Sequence, residues 1–193
     1  MHWNSHSEIE GLHAFLSPSK YHWLNYSEDK LRDTYSRQQA TIRGTQLHEY
    51  AATAIRLKRR QPKNNDTVNM YINDAIGYRM RAEQPLYYSP NCFGTADSIS
   101  YMEKHGERFL RIHDLKTGDI PAHMWQLEIY AAIFLLEYGL ELGIRGPEDI
   151  SIELRIYQSG EVLVEEPEAE AIRAIMDKII ESDKVIETMN KED

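Results

Sequence analysis

The spacing of apolar positions changes period part-way along this chain, and that change predicts its elements. Ser17-Pro18-Ser19 reads as a helix start, with Tyr21, Trp23 and Leu24 behind it. Thr41 or Thr45 is placed to cap the next helix, which runs to about Arg60. Its Leu47, Tyr50, Ala51, Ala54 and Ile55 follow the i, i+3, i+4, i+7 rule. Gln61-Pro62-Lys63-Asn64-Asn65 ends it, and residues 66 to about 81 form a third helix on Val68, Ile72, Ala75 and Ile76. Beyond Pro85 the period falls to two. Leu86-Tyr87-Tyr88 is a short strand. Residues 93–102 set Phe93, Thr95, Asp97, Ile99 and Tyr101 on one face, and residues 109–116 set Leu110, Ile112, Asp114 and Lys116 on one face. Residues 124 to about 142 are apolar nearly all round, which predicts a buried helix. Residues 150–157 and 161–164 are strands joined at Gln158-Ser159-Gly160, and an amphipathic helix over about 166–189 closes the chain. The stretch up to Leu16 is rich in His and Glu and weakly patterned.

This order predicts an α/β fold with a central mixed sheet flanked by helices, built as a single domain over 1–193. Its helical part covers about 17–83, its sheet core about 85–165 and its last helix about 166–189. Composition narrows the reading. The chain has 193 residues, with 22 Lys and Arg against 31 Asp and Glu, a net charge of −9. That excludes a polybasic nucleic-acid coat but not an acidic metal-binding site. Cys92 is the only cysteine, so one chain cannot hold a four-cysteine iron–sulfur cluster. The opening Met1-His2-Trp3-Asn4-Ser5 lacks the charged start and apolar run of a signal peptide, and no apolar run is long enough for a membrane span. A cytoplasmic protein with no membrane partner is expected.

The chemistry concentrates in the middle hairpin. A turn centred on His105-Gly106 places Asp97 directly opposite Asp114 and Thr95 opposite Lys116. Opposed carboxylates have Cβ atoms about 4.5–5.5 Å apart and destabilise the pair unless something positive lies between them. Lys116 is one candidate; a Mg²⁺ or Mn²⁺ ion, each favouring oxygen ligands, is the other. Gln126 and Tyr130 share a helix face among apolar neighbours, so a buried Gln126 needs partners. His48 borders the apolar stripe of its helix; it is either structural or a further metal ligand. Arg56, Lys58, Arg59, Arg60 and Lys63 form a local basic stretch, either complementing a helix end or tracking backbone phosphates.

Four motifs in order, Gly44-Thr45-Gln46-Leu47-His48-Glu49, Gly94-Thr95-Ala96-Asp97, Asp114-Leu115-Lys116-Thr117-Gly118 and Gln126-Leu127-Glu128-Ile129-Tyr130, resemble those of RecB-like nucleases of the PD-(D/E)XK superfamily, to which phage-encoded exonucleases belong. The resemblance covers roughly residues 40 to 165. It implies a restriction-endonuclease-like core and a Mg²⁺- or Mn²⁺-dependent deoxyribonuclease, an exonuclease rather than an endonuclease, leaving 5′-phosphates during DNA recombination, repair or phage DNA processing. His48, Asp97, Asp114 and the Leu115 carbonyl would ligate the metal. Lys116 would hold the attacking water, and Gln126 and Tyr130 would brace the site or touch the strand. Implied partners are DNA, as duplex ends or single strands, a homo-oligomer and a single-strand annealing or binding protein, in the host cytoplasm if the protein is phage-encoded. Ala96 stands where the superfamily name has Pro. The alternative is a catalytically inactive nuclease-like fold serving as a DNA-binding or assembly module. A weaker rival joins Ser17-x-x-Lys20, Tyr71-x-Asn73 and Lys116-Thr117-Gly118, which occur in the order used by penicillin-recognising serine enzymes.

Overall fold

Five strands form one sheet in the order β1-β2-β3-β4-β5. A computed structural model describes residues 14–118 and 120–192; the His- and Glu-rich stretch through residue 13 lies outside them. The strands are β1 (Arg81–Ser89), β2 (Cys92–Lys104), β3 (Glu107–Lys116), β4 (Ser151–Gln158) and β5 (Glu161–Glu165). The helices are α1 (Glu28–Arg56), α2 (Thr67–Gly77), α3 (Trp125–Tyr138) and α4 (Ala169–Glu192). All pairings are antiparallel except β3 with β4, which is parallel and is crossed by α3. The fold is therefore α/β, a mixed sheet flanked by helices.

The chain divides into two compact units at Arg43/Gly44. In the first, a 3-10 segment (Pro18–Asn25) leads into α1. Trp23 Nε1 donates to Ser17 O at 3.1 Å, and Phe15 packs edge-on against Tyr35. Ser27 Oγ accepts from Lys30 N, the geometry of an N-cap. The helix therefore starts before Thr41 and Thr45, and runs through both; the Thr41 hydroxyl donates to Arg37 O inside it.

The second unit carries the sheet. Leu110 and Ile112 of β3 and Ile152, Leu154 and Ile156 of β4 pack in one core with Leu127, Ala131 and Ala132 of α3 and Ile172 of α4. Leu115 and Tyr157, of opposite parity on the same strands, pack in a second core with Ala51, Ala54 and Ile55 of α1 and Ile72 and Ala75 of α2. Truncating a fully buried side chain such as Leu127 would cost about 2–5 kcal/mol. Asp66 caps α2 by accepting from Asn69 N, so that helix ends at Gly77 and Arg81 opens β1. Tyr71 is buried in α2, and Asn73 bonds the Gln61 backbone, which ties up two members of the serine-enzyme pattern.

Two expectations about regular elements need correction. α1 ends at Arg56, with Lys58 at φ 53°, so Lys58, Arg59 and Arg60 lie beyond the helix and only Arg56 sits in its last turn. α3 is shorter than expected and is not buried all round: Trp125 is 69% exposed and Ile129 is exposed as well.

Candidate metal centre

The β2–β3 hairpin turns at His105 and Gly106, both at positive φ, and this two-residue turn fixes the register. Lys104 faces Glu107, and the ladder runs on through Ile99 opposite Ile112 to Ser98 opposite His113. It stops there. Asp97 does not simply face Asp114; its Oδ2 accepts the Leu115 backbone N–H at 3.0 Å. The carboxylate has replaced a rung of the sheet, and the strands part where the site begins.

The alternation of β2 is broken at the same place. Ala96 and Ile99, three residues apart, both pack in the α3 core, while Ser98 lies against Met80 of the other core. The expectation that Thr95, Asp97, Ile99 and Tyr101 share one face is therefore corrected. Across the ladder, Glu83 of β1 adopts φ 52°, in the left-handed region. It falls between the rungs Ala82↔Ser98 and Gln84↔Ala96, which is Asp97's position. The two distortions aim both carboxylates at the C-terminal half of α1.

His48 meets them there. Its Nδ1 lies 3.2 Å from Asp97 Oδ2. One ligand atom each from His48, Glu83 and Asp97 all fall within 4.8 Å of one another, and all three residues are half-buried. Glu83 is the site residue that the sequence reading missed: nothing in Ala82-Glu83-Gln84-Pro85 marks it, because its backbone conformation and its partners are set across the sheet. The Asp97 bond draws the His48 pKa above its ordinary value, against the pull of burial. Burial and Asp97 raise that of Glu83, with His48 and Arg56 opposing.

Asp114 and Lys116 complete the other side. Asp114 is 3% exposed, and burial, then the Asp97 charge, push its carboxyl up to about 6 against the pull of Lys116 and His48. Lys116 Nζ pairs with Asp114 Oδ2 at 2.9 Å. The same ammonium donates to Gln126 Oε1 at 2.8 Å, and Gln126 Nε2 donates to Tyr130 Oη at 3.4 Å. Gln126 is exposed, contrary to the expectation of a buried amide; its partners are the site itself. Tyr130 lies over Gly94, where an added Cβ would meet its Cε1 at 2.9 Å. Gly44 of α1 admits Thr117 equally closely, with an added Cβ 2.8 Å from Thr117 Oγ1. Gln158 of β4 holds the segment after β3, donating to Gly118 O and Ile120 O and accepting from Ala122 N.

Comparison of the chain with protein-family models, with curated proteins and with solved structures finds no match.

The structure thus brings together His48, Asp97, Asp114, Leu115, Lys116, Gln126 and Tyr130. It also brings Arg56 near Glu83. Lys58, Arg59, Arg60 and Lys63 are exposed, and none forms a hydrogen bond or ion pair with a site residue among the described residues. An imidazole with two carboxylates, beside a third, buried carboxylate, is a donor set that suits a hard divalent cation. No helix of the described residues is long and apolar enough to cross a membrane.

Proposed function

We propose that the chain is a metal-dependent deoxyribonuclease, built on a restriction-endonuclease-like core of the RecB-like kind and acting on DNA ends. The observation that carries this is the Lys116 ammonium held between Asp114 and Gln126, next to the His48–Glu83–Asp97 cluster. His48, Glu83 and Asp97 would hold Mg²⁺ or Mn²⁺, with Asp114 and the Leu115 carbonyl on its flank. When bound, such an ion lowers the pKa of water and neutralises phosphate charge.

The residues of the chain do the rest. Lys116 presents a compact charge that positions the attacking water and stabilises the charge growing on phosphate oxygens. Gln126 and Tyr130 fix the ammonium in place. The water oxygen bonds to phosphorus while the bond from phosphorus to the 3′ oxygen breaks. One water proton passes to solvent and the leaving oxygen takes one up, giving a 5′-phosphate and a 3′-hydroxyl. The cytoplasm, in DNA recombination, repair or phage DNA processing, is the setting we assign.

The alternative, an inactive module for DNA binding or assembly, is disfavoured by Asp114. A buried carboxylate pushed up to about 6 beside another acid is costly to fold, and a site without function has no use for it. Digestion of end-labelled linear and closed circular DNA with Mg²⁺, Mn²⁺ or EDTA tests the proposal. Loss of linear DNA that EDTA abolishes is expected; equal loss in EDTA contradicts it.

A further inference from the structure

Glu83 and Asp97 are the inner end of a row. In the β1–β2 register the next rungs on their side are Pro85↔Thr95 and then Tyr87↔Phe93. Residues of the other parity, Leu86 and Ala96, are buried in the α3 core, and Gly94 lies under Tyr130, so the row occupies the opposite face. It is open along its length. Pro85 and Thr95 are exposed, Tyr87 is 51% exposed and Phe93 is 67% exposed.

Tyr87 and Phe93 stack on each other with centroids 6.4 Å apart and planes 24° from parallel. Two large aromatic rings side by side on a solvent-exposed face are expensive surface, since each leaves apolar area in water. They stand four positions along their strands from Glu83 and Asp97, about 13 Å at the rise of an antiparallel strand. With six backbone bonds per nucleotide, that is roughly two nucleotides of an extended single strand.

We infer that Tyr87 and Phe93 form a base-stacking platform for a single-stranded nucleic-acid end whose scissile phosphate lies at the His48–Glu83–Asp97 cluster, a reading that rests on the hydrolase proposed above. An unpaired base offers its π-face to such a platform, whereas bases inside a duplex are already stacked on their neighbours. Net charge argues the same way. At −9 the chain has little cation to spend on a long duplex backbone, so affinity drawn from stacking fits it better than affinity drawn from phosphate neutralisation.

Binding can be read without turnover. Fluorescence anisotropy of a labelled oligothymidylate, single-stranded or paired in a blunt duplex, is measured in Ca²⁺ for wild type, Tyr87→Ala and Phe93→Ala. Both side chains are exposed, so the variants should melt with wild type. Wild type should prefer the single strand, and each variant should lose about 5- to 160-fold in affinity for it, the range expected for one stacked base. In Mn²⁺ the same variants should raise KM by that factor and keep kcat near wild type. An abasic residue two nucleotides from the scissile phosphate should carry the same penalty in wild type and none in the double variant. Unchanged affinity in both variants, or equal affinity of wild type for the blunt duplex, overturns the platform, and does so even if the protein cleaves DNA. Variants that lose single-strand affinity in a protein that hydrolyses nothing in Mg²⁺ or Mn²⁺ support the platform and overturn the hydrolase.

Discussion

His48 Nδ1 lies 3.2 Å from Asp97 Oδ2, an imidazole from α1 set against a carboxylate from β2. The contact joins the helical layer to the parted strands and gives the site a proton-dependent member. Asp97 raises the His48 pKa above 6.5, so this pair stabilises the metal-free fold fully below 6.5 and ceases to as pH rises through the raised value. A protonated imidazole cannot ligate a cation. The gain in melting temperature on adding Mn²⁺ should therefore be larger at pH 8 than at pH 6, and His48→Gln should reduce the difference to the part that Asp114, pushed up to about 6, contributes. Paired thermal melts at the two pH values check it; a metal-induced gain independent of pH would remove His48 from the ligand set.

Asp114→Asn should raise the stability of the metal-free protein at pH 7. The folded carboxyl, pushed up to about 6, lies above its ordinary 3.8, so the native state favours the protonated form. Its contribution is fully present below 3.8 and is lost as pH rises through about 6. At pH 7 the wild type bears that loss, about 3 kcal/mol for a shift of two units. The variant escapes it but buries an amide with an unmet partner, at about 1–2 kcal/mol. A net gain of about 1 kcal/mol, roughly 2–4 °C, is expected in EDTA at pH 7, with the advantage gone at pH 4. The same difference at both pH values would show that ionisation of Asp114 is not its source.

Much of this arrangement was legible in the sequence because it is local. His105-Gly106 favours a two-residue turn, and the turn they make sets every rung from Lys104↔Glu107 to Ser98↔His113. Gln126 and Tyr130, one helical turn apart, do meet, and Gln126 meets Lys116. What escaped is tertiary. Glu83, at φ 52°, takes the place opposite Asp97 where the β1–β2 ladder skips a rung. The helix that Thr41 or Thr45 was expected to begin runs on through Gly44, whose missing side chain makes room for Thr117. Gln126 looked buried from its apolar neighbours, but it shares the exposed side of α3 with Trp125 and Ile129, while Leu127 alone turns into the core from that first turn.

Gly94→Ala tests the packing of the site without reference to catalysis. The new methyl would meet Tyr130 Cε1 at 2.9 Å, so the ring must move and its contact with Gln126 is lost. A destabilisation of about 1–3 kcal/mol is expected. In a Tyr130→Ala background the same substitution should cost much less, since the obstacle is gone. Equal costs in the two backgrounds, by urea denaturation, would place the ring elsewhere.

Lys116→Ala should separate binding from hydrolysis. The ammonium pairs with Asp114 and Gln126, and in the proposed mechanism it serves the nucleophile and not the metal. Mn²⁺ should still stabilise the variant, while DNA cleavage falls by about 10²-fold or more. Cleavage at the wild-type rate would deny Lys116 its role.

The central claim is that His48, Glu83 and Asp97 share one divalent cation with Asp114 at its side. Calorimetric titration of Mn²⁺ into wild type, Glu83→Gln, Asp97→Asn and Asp114→Asn at pH 8 addresses it directly, because affinity is read from the binding heat alone. The account predicts one site in wild type, strong loss of affinity in Glu83→Gln and Asp97→Asn, and a weaker site in Asp114→Asn. Mn²⁺ bound by all four proteins with the same affinity, or by none of them, would contradict it.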